Sequence, residues 1–153
     1  YKMASSQEIA AAVAVGGFGL LFISHYRAKK AEKTLCDGAY EVEEQHIAFL
    51  QEMVQKYKIP SIDKAVRALI QFSREFDKNN LFVKKRCNTC GGKKNKKILA
   101  IKIYGAQKEF LQEMQETHKV KNLDKTLRCI LEYAQRDGDR DEMFKVIRCK
   151  TCG

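Results

Sequence analysis

Four of the six cysteines form two pairs whose spacing suits metal binding or thiol–disulfide chemistry. Each pair belongs to the motif Arg-Cys-x-Thr-Cys-Gly, and the four residues are Cys87, Cys90, Cys149 and Cys152. Two intervening residues allow both sulfurs to face one ion, and the following glycine allows backbone N–H groups to turn toward the thiolates. Together the pairs supply the four thiolates of a structural zinc site, which we predict if the fold brings them together. Local Cys-x-x-Cys disulfides and reduced cysteines are the alternatives.

The other cysteines and the three histidines carry less chemical information. Cys36 and Cys129 are interpreted as small, partly buried residues. His25 could coordinate the metal of a pigment such as chlorophyll, although an interfacial histidine is the commoner case. His46 and His118 have no acid, base or nucleophile at a recognisable spacing, and the sequence has no Gly-rich phosphate loop or paired-carboxylate motif. We therefore predict a non-catalytic protein without a small-molecule substrate.

Basic residues outnumber acidic ones by 29 to 19, which gives a formal net charge of +10. This excess favours anionic partners, which include nucleic acids, anionic membrane surfaces and acidic protein subunits. The densest basic run lacks the interleaved aromatic residues of a nucleic-acid-binding surface, which disfavours nucleic acid. We predict that this basic docking surface binds an acidic subunit or anionic headgroups. Its residues are Lys84, Lys85, Arg86, Lys93, Lys94, Lys96 and Lys97.

An internal repeat positions these residues, because the chain from about residue 39 onward is one unit written twice. The sequence Phe49–Met53 is identical to Phe110–Met114, and the offset of 61 continues without a gap through the following helix-like segment. One extra residue in a loop of the second copy then brings the two cysteine motifs into alignment at an offset of 62. Such a match is not a chance event, and it predicts two structurally equivalent units.

Each copy has the hydrophobic pattern of a strand, two helices and a closing strand. Ser61 and Asn122 are of the residue types that cap a helix, so we place the start of each second helix there. One unit of ~60 residues would have a one-sided core, whereas two units related by a pseudo-twofold axis would share one core. The predicted first strands are 39–43 and 98–104, the first helices 45–58 and 106–120, and the closing extended runs 81–86 and 143–148.

The amino-terminal segment is charge-free from Ile9 to Ile23. Counted from Ala4 to Tyr26, it would form a helix about 35 Å long, enough to cross a bilayer. Basic residues follow this segment, and the positive-inside rule then places the rest of the chain on the cytosolic, stromal or matrix side. We predict a single transmembrane helix. Small residues that would let another membrane helix approach closely are Ala12, Gly16, Gly17 and Gly19.

Two resemblances bear on fold and setting. The strand, helix, break and second helix with Asp-Lys-Ala-Val-Arg-Ala-Leu at residues 63–69 resemble the ribbon-helix-helix fold. That resemblance implies that the two strands pair antiparallel, and we place Glu41 and Glu43 near Lys102. In that family the ribbon enters the DNA major groove, but Glu41 and Glu43 would repel phosphates. The helical Lys-Ala-(Val/Leu)-Arg pattern with a terminal Arg-Cys-x-x-Cys is also similar to small duplicated domains of algal plastid proteins, which implies a chloroplast setting.

The sequence therefore predicts a mainly α (α+β) protein with one transmembrane helix and two tandem strand-helix-helix-strand repeats, packed as a pseudo-twofold dimer. We expect a single-span accessory subunit of a photosynthetic membrane complex, with photosystem I favoured and the repeats on the stromal side of the thylakoid membrane. The alternatives are a respiratory-chain subunit of the mitochondrial inner membrane and a membrane-tethered nucleic-acid-binding protein. The predicted segments are the anchor with its basic flank (1–38), repeat 1 (39–92), a basic linker (93–97) and repeat 2 (98–153).

Overall fold

A computed structural model describes residues 34–75, 81–82 and 95–146. These residues form a two-stranded sheet and four α-helices, followed by a short π-helical turn at Glu142–Val146. Each strand is followed directly by two helices, and corresponding elements of the two repeats are separated by 61 residues throughout. The elements are β1 (Leu35–Glu43), α1 (Glu44–Lys56), α2 (Ile62–Glu75), β2 (Lys96–Tyr104), α3 (Gly105–Thr117) and α4 (Leu123–Arg136).

The two strands form an antiparallel ribbon, as the sequence predicts. Ala39 lies opposite Ala100, and because these residues are equivalent in the two repeats, the pseudo-twofold axis of the ribbon passes between them. Successive side chains of a strand point to opposite faces. One face of the ribbon is buried against the helices, and its most buried side chains are Tyr40, Val42, Leu99, Ile101 and Ile103. The opposite face is turned outward.

Local sequence signals explain the start and end of the helices. Ser61 Oγ accepts a hydrogen bond from the backbone N–H of Lys64 (3.2 Å), and Asn122 Oδ1 accepts one from that of Lys125 (2.9 Å). Both predicted caps are therefore confirmed. After each first helix one lysine has a left-handed backbone: φ is 53° at Lys58 and 51° at its equivalent Lys119. A left-handed residue at this position turns the chain out of the helix and toward the next one.

The two repeats are intertwined around a single core. Helix α2 of repeat 1 packs on β2 of repeat 2, and α4 of repeat 2 packs on β1 of repeat 1, while α2 and α4 also contact each other. The apolar stripes of the helices meet beneath the ribbon, where fully buried side chains include Leu50, Leu69, Ile70, Leu111 and Leu131. Neither repeat has a complete core by itself, because the second helix of each needs the strand of the other.

The predicted fold class is wrong for the closing strands. Residues 81–82 and 142–146 are helical where the pattern predicts extended chain. In each segment two consecutive apolar residues are buried, Leu81 with Phe82 and Met143 with Phe144. A strand would direct consecutive side chains to opposite faces, whereas a helical turn lets both face the core. The remaining residues of the two predicted strands lie outside the described residues.

The predicted single-pass membrane architecture also requires correction. The segment interpreted as the transmembrane helix, Ala4–Tyr26, lies outside the described residues, and Leu35–Gly38 of the predicted anchor region belong to β1. No helix of the described part of the chain is long and apolar enough to cross a membrane. Those α-helices have 13 or 14 residues, against the ~20 that a bilayer requires. The predicted thylakoid or mitochondrial membrane localisation is contradicted by this finding.

Candidate functional site: the ribbon and its flanking charges

Most of the site residues predicted from sequence lie outside the described residues. This holds for the four cysteines of the proposed zinc site, for the small residues Ala12, Gly16, Gly17 and Gly19, and for His25 and Lys84–Arg86, Lys93 and Lys94. Two residues of the predicted basic docking surface are described, Lys96 and Lys97. Both lie at the start of β2, inside the segment interpreted as a linker, and each pairs with an acidic residue of repeat 1.

The outward face of the ribbon is crossed by ion pairs between the two strands. Lys102 Nζ lies 3.7 Å from Asp37 Oδ1, and Lys96 Nζ lies 3.2 Å from Glu41 Oε2. The predicted proximity of Lys102 to Glu41 and Glu43 is therefore wrong. With the axis at Ala39 and Ala100, Lys102 falls opposite Asp37, and Glu43 lies at the far end of the ribbon opposite Lys96. The centre of the face consists of the two small alanines, with Ile98 beside them 76% exposed.

One further pair continues this network onto the helices. Lys97 Nζ lies 2.6 Å from Glu44 Oε1, at the first residue of α1. The hydrogen bond and the charge of Lys97 lower the pKa of Glu44 below its ordinary value. All of these pairs are solvent-exposed, so each one individually contributes little to stability. Their effect on the surface is larger, because they neutralise the ribbon face.

Two equivalent arginines flank the ribbon, one along each edge. Arg67 of α2 donates from NH1 to the carbonyl oxygen of Lys102 (2.8 Å), and Arg128 of α4 donates from NH1 to the carbonyl oxygen of Glu41. Each arginine therefore caps a strand of the other repeat. A two-stranded ribbon has two open edges that could pair with a further strand. The guanidinium groups occupy one acceptor on each edge and hinder such pairing.

A buried polar pair connects α1 with α4. Nε2 of His46 lies 3.2 Å from Oε2 of Glu132, and the two side chains are only 1% and 6% exposed. The other carboxylate oxygen of Glu132 is 2.7 Å from NH2 of Arg136, in a geometry that gives an ion pair but not a hydrogen bond. Within the described residues Nδ1 of His46 has no hydrogen-bond partner. No sequence pattern predicts this pair, because its members are 86 residues apart.

A shallow open depression of about 440 Å³ lies where the ribbon meets the start of α2. Three charged residues line it, Asp37, Asp63 and Lys102, and its other lining residues are small or apolar: Gly38, Ala39, Ala100 and Ile101. Nowhere in residues 34–75, 81–82 and 95–146 do three or more histidine, cysteine, aspartate or glutamate side chains come together to hold a metal ion. Of the two described cysteines, Cys129 is buried and Cys36 is half-buried.

The charge of the protein is divided unequally between the described residues and the rest of the chain. The described residues contain sixteen acidic and sixteen basic residues and are formally neutral. The remaining segments contain thirteen basic and three acidic residues, so the whole excess of +10 belongs to them. The domain itself therefore has no net positive charge. Attraction to an anionic partner must come from the segments attached to it.

Comparisons with protein-family models, with curated proteins and with solved structures found no match to this chain. The antiparallel ribbon with two helices after each strand has the arrangement that the ribbon-helix-helix resemblance implies. Membership of that family and the similarity to plastid domains stay predictions.

Proposed function

We propose that this chain is a non-catalytic accessory subunit whose duplicated domain acts as a scaffold within a larger protein assembly. The observation that supports it most directly is the division of charge. A neutral domain, with its surface charges paired across the ribbon, carries segments that hold the entire excess of positive charge. This arrangement suits a rigid body that presents basic segments to acidic surfaces of neighbouring subunits.

The roots of the cysteine-bearing segments support a scaffolding role as well. Phe82 and Phe144 each precede the first cysteine of their motif by five residues, and both are buried. The Phe82 ring stacks on His118 at 5.3 Å, and the Phe144 ring stacks on Tyr57 at 5.4 Å. His118 and Tyr57 are equivalent residues that follow the first helix of the opposite repeat. The domain thus fixes two equivalent starting points for the Arg-Cys-x-Thr-Cys-Gly motifs.

The second candidate, a nucleic-acid-binding protein, is favoured by the shape of the ribbon and disfavoured by its charges. In a nucleic-acid-binding protein of the ribbon-helix-helix type, the outward face of the ribbon would contact the nucleic acid. That face carries Asp37 and Glu41 together with Lys96 and Lys102, and therefore has no net positive charge. Binding to a polyanion depends on cations that neutralise phosphates. The proposal of a photosynthetic host, with photosystem I favoured, rests on the plastid resemblance alone and stays a prediction.

Sedimentation of the tagged chain, expressed in its own cells, tests the scaffold proposal. We expect the chain to sediment with an assembly much larger than its own 17.6 kDa, and to be released when Lys84, Lys85, Arg86, Lys93 and Lys94 are replaced by glutamine. A matched variant with five glutamines on the domain, at Lys56, Lys58, Lys108, Lys119 and Lys121, is expected to stay bound. Sedimentation of the unaltered chain as a free protein would contradict the proposal. An assembly that dissolves on nuclease treatment would favour the nucleic-acid alternative.

A further inference from the structure

The charges of the two strands are sorted by sign. Strand β1 contains Asp37, Glu41 and Glu43 and no basic residue, and Glu44 follows it directly. Strand β2 contains Lys96, Lys97 and Lys102 and no acidic residue. The two strands are otherwise equivalent members of one repeat, with the same length and the same position before two helices. Sorting of this kind is not needed to form a ribbon, since alternation of polar and apolar residues is enough.

The pairing of unlike strands brings opposite charges together at two places along the ribbon and at a third place where β2 meets the start of α1. Asp37 pairs with Lys102 at 3.7 Å, and Glu41 with Lys96 at 3.2 Å. Glu44 pairs with Lys97 at 2.6 Å. Beneath the ribbon, His46 of repeat 1 meets Glu132 of repeat 2 at 3.2 Å. Every one of these contacts joins an element of repeat 1 to an element of repeat 2.

The same register applied to two identical strands would remove these contacts. Two copies of β1 would place Asp37 opposite Glu41 twice, because the alanine at the axis would then face its own copy. Two copies of β2 would bring lysines together without any carboxylate. Like charges that lie opposite each other on a ribbon are destabilising. In a pair of second repeats Glu132 would meet Gln107 in place of His46, since positions 46 and 107 are equivalent.

The geometry points to a charge code for pairing: the strand of repeat 1 selects the strand of repeat 2 and rejects a copy of itself. The partner that this surface fits is an acidic or basic strand of the opposite sign in the same register. Specificity is a difference between two free energies, so weak surface pairs gain importance when the alternative pairing replaces attraction by repulsion. The code keeps two repeats of nearly equal backbone from pairing with their like in a second copy of the chain.

Charge reversal in the full chain tests the code. One variant, D37K/E44K, makes the repeat 1 side basic, and a second, K97E/K102E, makes the repeat 2 side acidic. We expect each to lower the thermal unfolding midpoint by about 5 °C or more at low ionic strength, where exposed charges are least screened. The combined variant, D37K/E44K/K97E/K102E, restores opposite signs at both pairs and keeps the net charge of the natural chain. It is expected to reverse most of the decrease in the thermal unfolding midpoint.

Two further variants control for the change in net charge. E52K/E113K and K108E/K121E change the charge by the same amounts at exposed positions of the helices and of the α3–α4 connection, outside the ribbon. Both are expected to keep the natural midpoint to within about 2 °C, since isolated surface charges contribute little. The code is overturned if the two half-reversed variants match these controls, or if the combined variant stays as low as the half-reversed ones. A midpoint difference that persists unchanged in about 1 M salt would also overturn it.

Discussion

The contact between α1 and α4 and the equivalent contact between α3 and α2 share a backbone but use different polar groups. In the first, His46 meets Glu132 across the helices. In the second, the equivalent residues are Gln107 and Gln71, and each turns to another partner. The Gln107 side chain donates from Nε2 to the carbonyl oxygen of Arg67 (2.9 Å), and its Oε1 accepts from the N–H of Tyr104. Gln71 pairs with Glu75 on its own helix.

The difference shows how a duplicated fold can keep its shape while its halves acquire separate roles. Gln107 caps the helix that it belongs to through Oε1, and its Nε2 reaches only a backbone carbonyl of the other repeat, that of Arg67. His46 gives up that capping role and connects two repeats through an ionisable group in the interior. A buried ionisable pair is costly to break and specifies one arrangement of its helices. The α1–α4 contact is therefore the more demanding one, and substitutions there should have the larger effects.

Removal of the Glu132 carboxylate should give the largest effect. Glu132→Ala leaves His46 buried without its partner and leaves Arg136 without the oxygen that it contacts, and we expect a loss of about 3 kcal/mol in the free energy of unfolding. The double variant His46→Gln/Glu132→Gln copies the α3–α2 contact and is expected to cost about 1 kcal/mol. Chemical denaturation measures both. Equal losses in the two variants would show that the ionisable pair has no special importance.

A change of side-chain size on the buried face of the ribbon should give the second largest loss in the free energy of unfolding. Gly38 and Tyr40 occupy the positions that Leu99 and Ile101 occupy in repeat 2, and a Cβ atom at Gly38 would come within 2.5 Å of the Tyr40 ring. Gly38→Leu is therefore expected to cost about 2 kcal/mol through overpacking.

The compensating change is Tyr40→Ile, which removes the ring that occupies the space. The double variant Gly38→Leu/Tyr40→Ile copies repeat 2, and we expect it to recover more than half of the lost free energy of unfolding, as measured by chemical denaturation. No recovery would mean that the two repeats do not share interchangeable packing at this site.

The two ribbon-capping arginines should differ in proportion to their burial. Arg128 is buried whereas Arg67 is half-buried, although both donate to an equivalent strand carbonyl. Arg128→Ala is expected to lose about 1.5 kcal/mol and Arg67→Ala about 1 kcal/mol, because the buried guanidinium makes the stronger hydrogen bond. Both variants uncover one strand edge, so light scattering should show more self-association than in the natural chain. A larger loss at Arg67 would reverse this ranking.

The smallest expected effect on stability is the contribution of Tyr40 at alkaline pH. Burial, followed by the negative charges of Asp124 and Cys36, raises the Tyr40 pKa above its ordinary value of 10.0. The unfolded chain then loses this proton at a lower pH than the folded one. The contribution of Tyr40 to stability is complete below pH 10 and declines as the pH rises through the folded pKa.

Denaturation curves collected from pH 9 upward should show this decline in the natural chain and less of it in Tyr40→Phe. Tyrosinate absorbance of the folded and denatured chains provides the direct comparison. Identical titration of the two states would exclude a raised pKa. The equivalent residue of repeat 2, Ile101, has no group to titrate, so the Tyr40 contribution has no counterpart at that position.

The repeat made much of the domain predictable from sequence. Helix positions follow from apolar spacing, and Ser61 and Asn122 cap the second helices as expected. Antiparallel pairing of the strands follows from the resemblance to a ribbon-helix-helix fold. The register did not follow, because the sequence alone does not locate the axis at Ala39 and Ala100. Without that axis, Lys102 cannot be assigned to Asp37.

Other features could not be predicted because they depend on residues far apart in sequence. The partner of His46 lies on the last helix, and no spacing rule connects Glu132 with it. The segments containing Phe82 and Phe144 look extended over a few residues, yet packing on His118 and Tyr57 decides their helical form. Lys96 and Lys97 resemble linker residues until the strand that contains them is matched with acidic residues on the other repeat.

The intertwined arrangement also has a consequence for synthesis on the ribosome. Helix α4 supplies the packing surface for β1, so the first repeat leaves the ribosome before most of its core exists. At ~5–20 residues per second, the 93 residues from the end of β1 to the end of α4 take roughly 5–19 s to translate. During that interval Tyr40 and Val42 lack the helix that covers them, and the nascent chain is exposed to chaperones and proteases.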